Sequence, residues 1–259
     1  MPGPTAWAAQ IVPGRCKRMR THQQEFIRTV QAALGKRSSL PPDFFDVSPS
    51  NGMESDSHGR TIQEKTVLLE RFVQQASAVN MGVTQVTDPA GAALAIRELV
   101  DTTQPEWGTE KSVAIWDHLL LNQLELEQVL GDSVADLFIT RGPETPDVKT
   151  RQAVRQGIID AYIGITSADF FVAQTATLVL RDRPGQPRAV SLVPSIHVAV
   201  VELDQILENL TELYARLKTD PLTNCMSLIS GPSKTADIEL VMVHGAHGPR
   251  QVHVIVVTG

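Results

Sequence analysis

Ser233, Asp237 and His247 are the three residue types of nucleophilic catalysis: a hydroxyl, a carboxylate and an imidazole. They lie within fifteen positions of one another near the end of the chain, on either side of an apolar segment. Ser233 and His247 pair as nucleophile and base only where the fold brings them together, and Asp237 then orients the base. A second chemistry is open to the same stretch. The apolar run Met226 to Ile229 ends in Gly231-Pro232, and Ser233, Thr235 and Asp237 follow. A strand leading through a Gly-Pro turn into Ser, Thr and Asp predicts a helix start at Thr235 to Asp237. The unpaired N–H groups of a helix start favour an anion. Gly245, His247 and the turn Gly248-Pro249 precede the apolar run Val252 to Val257 and are expected to meet the first turn at one end of a sheet. His244 lies on the same segment. The plainer reading is ordinary turn chemistry and ordinary capping.

Other polar groups read more simply. Thr175 and Thr177 fall on alternate positions of an expected strand, a common use of threonine. His197 stands just before an apolar run, where a structural role is expected. Asp117 and His118 follow the end of a strand, where ligand sites form in open α/β sheets. Glu125 and Glu127 read as solvated charges. The sequence has no GxSxG elbow, HExxH, P-loop or GxGxxG.

These groups must be positioned by a regular alternation of elements. Ile62 to Asn80 has helical spacing, with Val67, Leu68, Phe72 and Val73 inward. A strand at Val83 to Thr87 and a helix from Asp88-Pro89 to about Val100 follow. The pattern continues as strand Val113 to Trp116, one helix over Leu119 to Leu130, strand Asp136 to Thr140 and helix Asp147 to Gln156. Tyr162 to Thr166 is a strand that leads into Ser167-Ala168-Asp169, read as a helix cap. Thr175 to Arg181 and Ala189 to Leu192 flank the turn Arg183-Pro184-Gly185-Gln186 and suggest an antiparallel hairpin. His197 to Val201 is a strand, and Asp204 to Leu217 an amphipathic helix. Strands alternating with helices predict an α/β fold with a largely parallel sheet and an inserted antiparallel hairpin.

Residues 1–60 are expected to form an arm, with a short helix over about 21–34 and then a linker rich in Ser, Pro and Gly; residues 61–259 form the main domain. Residues 1–20 hold Arg15, Lys17, Arg18 and Arg20 and no acid, without the apolar core of a secretory signal. Met19 is an expected start of translation.

The net charge of −6 argues against a broad nucleic-acid face, and no apolar run approaches the length of about 18 residues that spans a bilayer. Two distant cysteines, Cys16 and Cys225, make no disulfide scaffold and point to a reducing compartment. They cannot furnish a four-cysteine iron–sulfur site.

The string ISGPSKTADIE (Ile229 to Glu239) followed by HGAHGP (His244 to Pro249) resembles the lactate-utilisation protein C family, the LUD-domain proteins. Two further blocks carry the likeness: Gly164-Ile-Thr-Ser-Ala-Asp169 with Ala173-Gln-Thr-Ala-Thr177, and Leu192-Val-Pro-Ser-Ile-His197. Ala176 stands where the family usually has glycine, so a positive φ there strains an alanine. The resemblance covers about Thr61 to Gly259. It implies a three-layer α/β sandwich of the NagB/RpiA/CoA-transferase-like type and a cytoplasmic part in converting L-lactate to pyruvate. It implies partners carrying iron–sulfur clusters, and no cofactor or metal in this chain. Gly231, Pro232, Ser233, Thr235, Gly245, His247, Gly248, Thr175 and Thr177 are the ligand-binding candidates. The alternative is a free-standing enzyme holding a carboxylate, phosphate or CoA ester between the Gly231 and His247 turns.

Overall fold

The structure is a computed structural model that describes residues 25, 26, 28–30, 32, 59–105, 110–143, 147–220, 223–236, 242–244 and 247–259. The chain divides between Glu54 and Ser55 into two units. In the first, all six described residues, Glu25 to Ala32, are helical. Of the linker expected to run to Arg60, only Gly59 and Arg60 are described, and Arg60 is not loose but paired to Glu212.

The second unit is built on six parallel strands. In chain order these are β1 (Met81–Val86), β2 (Ser112–Ile115), β3 (Asp136–Ile139), β4 (Ile163–Ser167), β7 (Ile196–Glu202) and β12 (Gln251–Val257). Their spatial order is β1-β12-β7-β4-β2-β3, and every pairing is parallel. The middle strands are mainly apolar and buried on both faces: all of β4, with Thr166 and Ser167, and all of β7 except Glu202, with His197. That pattern belongs to a parallel sheet covered on both sides.

A smaller mixed sheet holds β5 (Phe170–Val172), β6 (Thr177–Arg181), β8 (Ile206–Leu207) and β9 (Met226–Ile229) in the order β8-β5-β6-β9. The inserted hairpin is therefore β5–β6, an antiparallel pair, with β9 antiparallel on its far side. Ala189–Leu192 is a short helix, not the second hairpin strand. Ser167-Ala168-Asp169 caps no helix and leads into β5. The oxygens of Asp169 take the Arg181 backbone N–H and the guanidinium instead.

Helix α1 (Ile62–Ala78) opens with a capping box between Thr61 and Glu64. Its buried stripe is Leu69, Phe72 and Ala76, while Val67 is exposed. Phe72 meets Phe171 of β5 edge-on at 5.0 Å, which ties α1 to the mixed sheet. Helix α2 (Pro89–Thr102) starts with the Asp88 cap and Pro89 as expected. The single helix expected over Leu119 to Leu130 is two, α3 (Leu119–Asn122) and α4 (Leu126–Leu130). The chain breaks at Glu125, whose φ is +47°. Helix α5 (Val148–Ile159) follows the Asp147 cap, and α6 is Ala189–Leu192. The amphipathic stretch from Asp204 is divided: Leu203–Gln205 is a 3-10 turn, Ile206 and Leu207 form β8, and α7 is Leu210–Thr219 with Asn209 as its cap. Among the described residues no helix is long and apolar enough to cross a membrane.

Candidate functional site

The chain leaves β2 toward β3 on one side, and leaves β4 toward the mixed sheet and β7 on the other. Because β2 and β4 are neighbours, their outgoing connections diverge and leave a crevice between their carboxyl ends. This is the switch point at which open α/β sheets bind ligands. The crevice encloses about 410 Å³, within the range of small-molecule sites. Its walls carry Asp117, His118 and Asn122 after β2, Asp169 after β4, Gln205 after β7, and Arg183 from the loop beyond β6.

Each polar group is held. Asp169 is largely buried, and its Oδ1 accepts from Arg181 Nε at 3.0 Å and from Arg183 Nη2. Arg181 also reaches Asp220 at 2.8 Å; burial is the largest single influence on its pKa and lowers it, but the two carboxylates together outweigh burial and leave the pKa raised. Asp117 Oδ1 accepts from Asn122 Nδ2 at 3.0 Å. His118 Nδ1 accepts the Leu120 amide at 3.2 Å, which places the neutral ring's proton on Nε2. Burial pushes the His118 pKa down, with the Asp169 charge opposing it, so the ring is a neutral donor near pH 7.

The turn Pro184-Gly185-Gln186 folds over this end of the sheet. The Gly185 carbonyl takes the Asp117 amide at 3.0 Å, and Gln186 Nε2 donates to the Asp117 carbonyl at 3.3 Å. Gly185 has φ +76°, and a Cβ there would stand 3.0 Å from Asp117 Cβ. Asp117 and His118 were legible from their place after a strand. Arg183 and Gln186 were not, because a Pro-Gly turn between apolar runs reads as a hairpin.

The turns singled out in the sequence lie at the opposite, amino end of the main sheet. Lys234–Ala236 is a strand, β10, antiparallel to β11 (Met242–His244), with Thr235 opposite Val243. No helix starts at Thr235, so the expected source of free N–H groups is replaced by a ladder. Pairing with Met242–His244 outweighs the capping pattern. Asp237 and Gly245 lie outside the described residues.

The Ser233 amide donates to the Pro249 carbonyl at 2.8 Å, and a Cβ on Gly248 would stand 3.4 Å from Ser233 Cβ, so the two turns meet. Pro232 is buried and His247 exposed. Gly231 has φ +90°, and a Cβ there would come within 2.5 Å of the Val79 carbonyl. Thr175 sits in the β5–β6 turn and not on a strand; its hydroxyl meets that of Thr177 at 2.7 Å, and Thr177 meets Ser230 at 2.7 Å. Three hydroxyls from two distant segments, Thr175 and Thr177 on one and Ser230 on the other, thus form a chain beside Gly231.

His197 is fully buried. Its Nε2 pairs with Thr166 Oγ1 at 2.8 Å and its Nδ1 has no hydrogen-bond partner among the described residues. Burial drives its pKa down to about 3, with a smaller push from His253. Among the described residues no three His, Cys, Asp or Glu side chains gather as a metal site.

A largely parallel six-stranded sheet with a polar crevice at its switch point defines an open-sheet α/β domain. Residues 69–257 match the LUD domain, and the chain belongs to the LUD domain family. It is similar to "Lactate utilization protein C" of Exiguobacterium sp., 38% identical over 116 residues, which are 43% of this chain and 50% of that protein. The protein of the same name from Shouchella clausii is 30% identical over 162 residues, 61% of this chain and 67% of the relative. "Uncharacterized protein YkgG" of Escherichia coli is 27% identical over 238 residues, 90% of this chain and 96% of the relative. The match to the Exiguobacterium protein therefore spans half its length. A crystal structure of a DUF162 family protein from Deinococcus radiodurans superposes with a TM-score of 0.46 at 21% identity, over 77% of this chain and 99% of that one.

Proposed function

We propose that the chain is a cytoplasmic component of an L-lactate utilisation system and that its switch-point crevice binds a small 2-hydroxy carboxylate. The observation that carries this is that a cation, Arg183, and an acceptor, Asp117, line one crevice in a LUD-domain chain. Arg183 has N–H groups beyond the one given to Asp169, and these suit a carboxylate. Asp117 suits the adjacent hydroxyl, and His118 Nε2 adds a neutral donor. Oxidation to pyruvate removes two electrons, and in this reading iron–sulfur partner proteins take them.

Titration with L-lactate tests the site. Arg183→Ala and Asp117→Asn are each expected to weaken binding about tenfold, the loss of one charge-assisted hydrogen bond. Unchanged affinity in both would remove the crevice from the proposal. Deleting the gene tests the role: growth on L-lactate should fail while growth on pyruvate continues. Normal growth on lactate, in a strain with no other lactate dehydrogenase, would reject it.

A second reading is a free-standing enzyme that holds its ligand by the Gly231 and His247 turns. The contact of Thr177 with Ser230 favours it, since it carries two family blocks to one place. Turnover of a carboxylate or phosphate ester by the isolated chain, lost in Thr177→Val, would establish that reading over the first.

A further inference from the structure

Helix α5 covers an edge of the sheet poorly. Of its twelve residues only Ile158 is fully buried, and Val148 and Ile159 are 61% and 50% exposed. Beside it runs a cavity of about 480 Å³, walled by Val154, Ile158 and Ile159 on α5 and by Val193 beyond α6. Arg151 and Arg155, one helical turn apart, line the same cavity. Neither guanidinium makes a side-chain hydrogen bond or close ion pair among the described residues, although the Arg151 charge acts at longer range on Asp147, whereas Arg60, Arg181 and Arg183 are all paired to carboxylates.

A mainly apolar trough with two cations free of close ion pairs selects one chemistry. An uncharged apolar ligand would leave the arginines unused, and a small polar anion would leave the trough unfilled. We propose that this groove binds an amphipathic organic anion, a medium-chain aliphatic carboxylate. Its tail lies along Val154, Ile158 and Val193, and its head pairs with Arg151 and Arg155. The groove shares no lining residue with the switch-point crevice; a third cavity shares Arg151 with the groove and Arg183 with the crevice. The size suits the ligand, since small-molecule sites commonly measure about 300–1,000 Å³.

The probe is dodecanoate, titrated calorimetrically below its micelle concentration into the full chain. One dodecanoate should bind per chain. Arg151→Gln should weaken it about tenfold, and dodecan-1-ol should bind more weakly than dodecanoate and be indifferent to that change. Val154→Trp and Val193→Trp, each placing an indole in the trough from a different wall, should abolish binding while leaving the melting temperature near that of the wild type. Failure of the wild type to bind overturns the proposal, as does unsaturable binding. So does wild-type affinity in whichever Trp variant folds. Binding of an acidic peptide but not of dodecanoate would assign the groove to a protein partner instead.

Discussion

The carbonyl oxygen of Val190 stands 1.9 Å from the place a Cβ on Gly164 would occupy, and Pro194 Cγ stands 3.0 Å from it. The first residue of the Gly164–Asp169 block is thus a packing requirement: α6 lies directly on β4 there. His197 pairs with Gly164 in the sheet register and reaches Thr166, one step further along the same face. Any side chain on residue 164 would displace backbone, not a flexible tip. Gly164→Ala is expected to cost about 3 kcal/mol or more, above the usual range for overpacking. Thermal unfolding should show this as a fall of roughly 6–12 °C, given about 2–4 °C per kcal/mol for a domain of this size.

Ala176 is fully buried and has φ +46°. Three effects compete in Ala176→Gly. Leaving the left-handed region strained by a Cβ costs about 1–2 kcal/mol, which glycine relieves. Against this stand roughly 0.5–1 kcal/mol of extra backbone entropy and about 0.8 kcal/mol for the lost methyl. The variant should therefore lie within about 1 kcal/mol of the wild type. Ala199, equally buried on β7 in extended backbone, has no strain to relieve, and Ala199→Gly should cost about 1.5 kcal/mol. Urea unfolding of the two variants side by side checks the difference. Equal losses would mean that residue 176 is not strained.

How much of this was legible depended on the range of the interactions involved. The parallel strands announced themselves as short apolar runs, and Asp88, Asp147 and Ala176 behaved as their local chemistry required. Asp169 was misread because a cap and an ion-pair partner look alike in sequence; its partners, Arg181 and Arg183, are twelve and fourteen residues away. Thr235 carried a helix-start signature that β11 overrode by pairing with it. The crevice was only half visible. Asp117 and His118 follow a strand end, but Arg183, Gln186 and Gln205 arrive from loops whose destination depends on the strand order. The meeting of Thr177 with Ser230, 53 residues apart, carries no local signal at all.

Three histidines, His118, His197 and His253, are buried enough for their pKa values to fall, His197 to about 3. The sign follows from linkage. In the unfolded chain each ring binds a proton near pH 6.5, whereas in the folded chain it does so only at lower pH. The unfolded state therefore holds more protons across this window, and stability is complete above about pH 6.5 and declines as the pH falls. His197 alone should contribute a decline of roughly 1.4 kcal/mol per pH unit below that point. Urea unfolding between pH 7 and pH 5 should show the loss, and His197→Gln should flatten the slope even where it lowers stability at pH 7. A slope unchanged by that substitution would mean that His197 is already charged in the folded protein.

Arg60 and Glu212 make the longest-range ion pair at the start of the domain, two parallel contacts of 2.8 Å between Nη1 and Oε1 and between Nη2 and Oε2. Glu212 is 4% exposed, and its Oε2 also accepts the Glu208 amide at 2.8 Å. The Arg60 pKa is raised, chiefly by its hydrogen bonds to Glu212. The pair fixes the residue just ahead of the Thr61 cap against the first turn of α7, so it sets where α1 begins. Arg60→Ala leaves a buried carboxylate with no cation on this side, and its cost should approach about 3 kcal/mol, the lower end for breaking a buried pair. Arg60→Lys keeps the charge but loses the fork, so it should recover only part of that. Glu212→Gln removes the charge while keeping an acceptor for the Glu208 amide, and should be milder than Arg60→Ala. In the double variant Arg60→Ala/Glu212→Gln the two losses should not add, because the second change neutralises the charge that the first left unpaired. Strict additivity in urea unfolding would show the two residues to be uncoupled.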